Sequence, residues 1–119
     1  QTLSVIFKKA PFAAGLSNIA DGTYLEANEE FERVFGFSRE EIVGKTSLEL
    51  GLYPDPEIRE HSAALFREQG FVRNLDVRLQ TKTGETHDVL INSDLVEIFG
   101  TEEADHLLVE QLSAGVFRA

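Results

Sequence analysis

The twenty-five residues from Asp21 to Lys45 allow this chain only short elements in a set order. They read D-G-T-Y-L-E-A-N-E-E-F-E-R-V-F-G-F-S-R-E-E-I-V-G-K: a turn, a strand, a capped helix, a stop, a second capped helix and a second stop. Asp21-Gly22 is a turn dipeptide, and Thr23 to Ala27 have the β-branched and aromatic bias of a strand. Asn28 suits an N-cap, because its side-chain oxygen can accept from the N–H of Glu30 or Phe31, donors that have no partner inside the helix. Glu29 and Glu30 favour the positive end of that helix, and Glu29 is spaced to pair with Arg33. Phe31, Val34 and Phe35 share one apolar face, and Gly36 supplies the stop. Ser38-Arg39-Glu40-Glu41 then reads as a capping box opening a short helix through Ile42 and Val43, ended by Gly44.

The rest of the chain continues this alternation. Thr2 to Ala10 reads as a flanking helix with Leu3, Ile6 and Phe7 on one side, ended by Pro11. Phe12 to Ala20 reads as a strand, while Leu48 to Leu52 is too short to assign. Asp55-Pro56-Glu57 starts a helix that runs to about Gln69 and stops at Gly70. In Phe71 to Thr81 the apolar Leu75, Val77 and Leu79 alternate with polar residues, so one face is buried and the other is wet. A hairpin turn centres on Gly84, a strand follows over His87 to Phe99, and the last strand covers Asp105 to Ser113. Strands, then helices, then strands imply an α+β domain with helices on one face of an antiparallel sheet.

Composition removes several function classes. A chain of 119 residues makes one domain, burying about two-thirds of its unfolded surface. Eleven basic against twenty-one acidic residues give a net charge of −10, which repels nucleic acid and anionic lipid. The absence of cysteine excludes disulfides, thiolate metal sites and cysteine nucleophiles. No apolar run reaches the roughly 18 residues of a membrane span. No nucleophile elbow, H-E-x-x-H or phosphate-cradling loop occurs, so a regulatory role is expected and not a catalytic one. The missing initiator methionine suggests a fragment of a longer protein.

The Asp21–Lys45 run resembles the N-terminal half of a PAS (sensory-box) domain. Asp21, Gly22, Asn28, Phe31, Val34, Gly36, Phe37, Glu41, Ile42, Gly44 and Lys45 carry the likeness. The resemblance implies a five-stranded sheet ordered 2-1-5-4-3 whose helical middle cups a cavity, with the domain spanning 11–115 between a flanking helix (1–10) and a tail (116–119). It implies a cytoplasmic sensory module attached to an effector, foremost a histidine kinase and next a diguanylate cyclase. It also implies a homodimer through Leu3, Ile6, Phe7 and the outer sheet face. One departure stands out. The D-I-T signal that commonly leads to the output helix is replaced by Ser113-Ala114-Gly115.

Candidate site residues follow from the same likeness. By its register the inward strand positions are Leu75, Val77, Leu79, Val89, Ile91, Ser93, Leu107, Val109 and Gln111, a lining for a small apolar or weakly polar ligand, or equally for a packed core. The helix E-H-S-A-A-L-F-R is similar to the haem-binding helix of oxygen-sensing PAS domains, with His61 as iron ligand, Leu65 four positions on and Arg67 at a propionate. The alternative is a histidine packing its ring at the edge of the core. Flavin, by likeness to light-oxygen-voltage receptors, has Gln111 in its favour. Against it, Leu79 and Val89 replace the asparagines that read the ring edge, leaving amides unpaired at about 1–3 kcal/mol each. The reading ranks no cofactor first, haem second and flavin third, with a ligand-free interaction module as a further alternative. His87 and His106 are expected at the surface, without a metal. Glu102, Glu103 and Asp105 are expected at a solvated hairpin tip.

Overall fold

The computed structural model describes residues 7–96 and 107–114. Its elements are β1 (Ala13–Asn18), β2 (Tyr24–Ala27), α1 (Glu29–Phe35), α2 (Arg39–Ile42), α3 (Ser47–Leu50), α4 (Pro56–Gln69), β3 (Phe71–Gln80), β4 (Thr86–Val96) and β5 (Leu107–Ala114). All strand pairings are antiparallel, and the sheet order is β2-β1-β5-β4-β3, as expected. Phe7 to Lys9 are helical ahead of Pro11. The other dimer residues, Leu3 and Ile6, lie outside the described residues, as do His106, the acidic run 102–105 and the tail 116–119. Among the described residues no helix is long and apolar enough to cross a membrane.

The end signals of the short helices act as the sequence indicates. Asn28 Oδ1 accepts from the Phe31 N–H at 3.0 Å, and Gly36 closes α1 at φ 83°. Ser38 and Glu41 form the expected capping box over α2. A second box, Thr46 with Glu49, opens α3 in the stretch too short to assign, and left-handed Gly51 ends it. The T-S-L-E signature was present but spans a single turn. One pairing differs from expectation. Arg33 Nε donates to Glu30 Oε1 at 2.9 Å, whereas Glu29 meets Lys9 at 3.3 Å. Three residues and four residues apart are both neighbouring positions on a helix, so the spacing left either carboxylate available.

The core lies between the helices and one sheet face. Phe31, Phe35, Ile42, Leu52, Val72, Leu79 and Ile91 are fully buried. Tyr24 meets Phe31 edge to face at a centroid distance of 5.5 Å, and Phe31 meets Phe35 at 5.1 Å. In β3 the register slips by one residue between Val72 and Leu75, where Asn74 adopts φ 51°. The extra residue is a bulge that lets Val72 and Leu75 both pack toward the core. The β3–β4 hairpin is tied to the helices at its tip, where Lys82 N–H donates to Phe35 O at 2.9 Å and Lys82 Nζ to Glu41 at 2.6 Å.

Asn28 makes more bonds than a cap requires. Its Oδ1 also accepts from the Ala14 N–H at 2.9 Å, and its Nδ2 donates to Phe12 O at 2.9 Å and Phe7 O at 3.1 Å. Removing this 1 % exposed amide strands several backbone groups in a dry site. Asn28→Ala is therefore expected to destabilise the domain by about 3 kcal/mol or more, read as a fall in Tm of roughly 10 °C or more. A loss no larger than a surface cap, about 1 kcal/mol, would show the inner bonds to be dispensable.

Candidate functional site

Antiparallel partners share a sheet face, and this rule sets the polar content of the interior. Ser93 is buried, and its partner on β5 is Glu110. On the other side Glu110 pairs with buried Gly15 of β1. Glu110 therefore faces inward with Leu108 and Leu112, and by the same alternation Leu107, Val109 and Gln111 take the outer face. This corrects the expected register of β5 by one residue. Gln111 is exposed and Val109 half-buried, while Leu107 is buried on the side away from the helices. One face of the strand presents Leu107 and Val109 with Gln111 and Ser113, the other Leu108 and Leu112 with Glu110, so alternation alone could not choose. A core-facing glutamate is also the less common arrangement.

Between α4 and the sheet lies a cavity of about 240 Å³. Ser17 of β1, Tyr24 of β2, Ser47 of α3, Ser93 of β4, and Leu108 and Glu110 of β5 line one side. Arg59, Ser62, Ala63, Phe66 and Arg67 of α4 line the other. All of these serines are buried. Tyr24 Oη donates to Glu110 Oε1 at 3.4 Å, and Arg59 Nε donates to Ser47 Oγ at 3.3 Å. Arg59, Arg67, Ser47 and Gly22 also line a shallower outer basin, so Arg59 stands at the threshold between basin and cavity. Gly22 at φ 77° leaves room there, since a Cβ would meet Arg59 Nη2 at 3.2 Å.

Burial pushes the Glu110 carboxyl above the ordinary carboxylate range, while the Arg59 charge and the Tyr24 hydrogen bond draw it partly back. Burial also raises the Tyr24 phenol well above its usual value, helped by the charge of Glu110 and by Tyr53. The Tyr53 phenol, buried close by, is raised by the same two causes, burial and Glu110. Both tyrosines are thus neutral donors, and the ionisable carboxyl is the group whose charge the site resists.

The other expected site residues divide. Val77, Leu79, Val89 and Ile91 are core residues, with Leu75 and Leu65 half-buried against them. Val89 also borders an apolar groove of about 500 Å³ between α1 and the ends of β4 and β5, with exposed His87 at its edge. His61 is exposed and lines none of these cavities; Ser62 takes the buried position on α4. This corrects the expected placement of His61 among the cavity residues. Arg67 sits at the cavity rim, exposed, 3.8 Å from Glu60. The residues do not fit a flavin ring. Leu79 and Val89 offer no amides, Gln111 faces outward, and a carboxyl stands on the inward face in its place. Among the described residues no group of three metal-ligating side chains occurs. Ser93, an expected inward position, lines the cavity, whereas Arg59, Glu110, Ser17, Ser47 and Ser62 were not singled out in the sequence. The signal available for Arg59 was its position one residue after Ile58 and three before Ser62, on the inner flank of α4.

An antiparallel sheet ordered 2-1-5-4-3 with short capped helices cupping a polar cavity defines a small sensory fold. The chain belongs to the PAS domain family, whose profile matches residues 12–108. No curated protein matches it. Among solved structures it is similar to the LOV domain of a blue-light activated histidine kinase from Erythrobacter litoralis (TM-score 0.72, 22 % identity, 90 % of this chain and 98 % of that one). It is also similar to a PAS domain, in complex with ethanol, of a LuxR-family transcriptional regulator from Burkholderia thailandensis (TM-score 0.69, 18 % identity, 91 % and 93 %). A third is a domain of a sensory box sensor histidine kinase/response regulator from Geobacter sulfurreducens (TM-score 0.75, 16 % identity, 94 % and 90 %). At these identities the likeness is one of fold.

Two outcomes are expected. In Gly15→Ala the new Cβ would lie 2.7 Å from Tyr24 Cε1, inside a rigid buried ring. Overpacking by one methyl should lower stability by about 1–3 kcal/mol in urea unfolding followed by tyrosine fluorescence. An unchanged midpoint would mean that the ring yields freely. For Glu110 the folded-state value is raised, so its contribution is whole below the ordinary 4.5 and is lost as pH climbs through the raised value. Glu110→Gln, which cannot ionise, should therefore have a higher Tm than wild type at neutral pH, with the gap closing in acid. A gap that widens in acid would reverse the sign.

Proposed function

We propose that this domain is the sensory part of a longer signalling protein and responds to a small polar molecule held between α4 and the sheet. One observation carries the reading. Six elements converge on one cavity with a guanidinium, a carboxyl, a phenol and buried serine hydroxyls, beside a hydrophobic core cluster. A few directed polar groups in an otherwise apolar interior are the signature of a ligand site. Its volume of about 240 Å³ suits a small molecule, and a neighbour of the same fold is described with ethanol bound. The domain acts as a regulator and not as a catalyst, and a histidine kinase is the effector that two of the neighbours' descriptions favour.

The mechanism follows from which parts share the cavity wall. α3, α4 and β5, the middle strand of the sheet, all contribute to it. A ligand that bridges them favours one spacing of helix and sheet and shifts the population toward it. β5 then carries the change along the chain toward whatever follows it. At a concentration 100 times its Kd such a ligand adds about 2.7 kcal/mol to stability.

The test is a thermal-shift screen of small polar metabolites on the domain and on Ser93→Leu, which fills the cavity from the sheet side. A compound that raises Tm by several degrees in wild type and not in the filled variant supports the reading. A screen in which every active compound stabilises both proteins equally would refute it.

A further inference from the structure

The charges around the cavity select among small molecules. The domain carries a net charge of −10, yet among the described residues no carboxylate lies within ion-pair distance of Arg59. Its Nε is held by Ser47, and its guanidinium is half-buried at the threshold between outer basin and cavity. A guanidinium fork matches the planar geometry of a carboxylate through two parallel N–H bonds. We propose, resting on the sensory reading above, that the ligand is a small organic carboxylate met by Arg59, and that Glu110 carries a proton while the site is occupied.

The groups around Glu110 require this coupling. From β2 it faces the Tyr24 hydroxyl, and Tyr53 stands near it ahead of α4. From α4 it faces Arg59, with Arg67 further out on the cavity rim, and its strand partners Gly15 and Ser93 carry no charge. An incoming carboxylate would place two anions around one guanidinium in a confined space, and such a pair cannot both stay ionised without penalty. Burial already favours neutral Glu110. As the anion enters, ionised Glu110 takes one proton from solvent, and the charge in the cavity does not change. The carboxylic acid then becomes an O–H donor, and the serine hydroxyls can meet further oxygens of the ligand. About 240 Å³ is the liquid volume of roughly eight waters, which limits the ligand to short-chain acids.

The experiment is titration calorimetry of the domain with acetate, lactate and succinate, their neutral amides, ethanolamine and inorganic phosphate. It is run in two buffers of different ionisation heat and repeated across acidic to mildly basic pH. A carboxylate is expected to bind with proton uptake, its affinity falling by up to about tenfold per pH unit above the ionisation of free Glu110. Glu110→Gln should still bind and lose both the proton uptake and the pH slope. Arg59→Gln should weaken binding by about tenfold or more, and Arg59→Lys by less. Equal binding of the amides, preference for ethanolamine, tighter phosphate than carboxylate, or a pH slope that survives Glu110→Gln would each overturn the proposal. In those cases the sensory reading stands if the compound that binds is lost in Ser93→Leu. If nothing in the panel binds wild type, the carboxylate proposal is overturned, and the metabolite screen decides the broader reading.

Discussion

One buried amide holds the first half of the domain together. Asn28 offers two donors and an acceptor that takes two bonds, and the structure uses all of them, joining the segment before β1, β1 itself and the first turn of α1. In a site where water has no access, each bond missing would leave a backbone group unpaired, so no other side chain of that size serves. Aspartate would keep the cap and lose the donors, and serine could not span the gap. The Asn28 N–H also donates to Ala14 O at 3.0 Å, which fixes where β2 ends against β1. From that register the rest of the sheet follows in order, including which face β5 shows to the helices.

This explains why the fold was legible in the sequence while the site was only half legible. Caps, stops and turns are local. Asn28, Gly36, Ser38, Asp55, Gly70 and Gly84 announce themselves within four residues, and α4 runs over the residues its signals mark. The lining of the site depends on non-local pairing. β5 carries aliphatic residues on both faces because it sits mid-sheet, and nothing within the strand says whether Glu110 or Gln111 turns inward. The answer comes from Gly15 and Ser93, far away in sequence. His61 misleads for a related reason. The inner stripe of α4 passes through Ile58, Ser62, Leu65 and Phe66, and a small serine is not an obvious core residue until the partner across from it is known.

The polar cavity is maintained at a cost to stability that a packed apolar core would not carry. Burying a carboxyl and a guanidinium together is seldom the most stable solution for a small domain. Here the arrangement needs Gly15 to lack a side chain, so that the Tyr24 ring can lie against β1 and reach Glu110 with its hydroxyl. It needs Gly22 in a left-handed turn to clear the Arg59 guanidinium. These are two glycines kept for space, and Gly22 also for its left-handed backbone.

The double-ended fastening of α3 has a mechanical result. A single turn of helix has almost no cooperative length to protect it. With Thr46 and Glu49 clamped at one end and Gly51 locked at the other, the turn keeps its shape whatever its flanks are doing. Ser47 rides on that turn, and Gln80 grips the segment that follows it through Gly51 O and Leu52 O. Anything that tugs on Ser47 from the cavity side therefore moves a stiff tile on two pivots and does not unravel a thread.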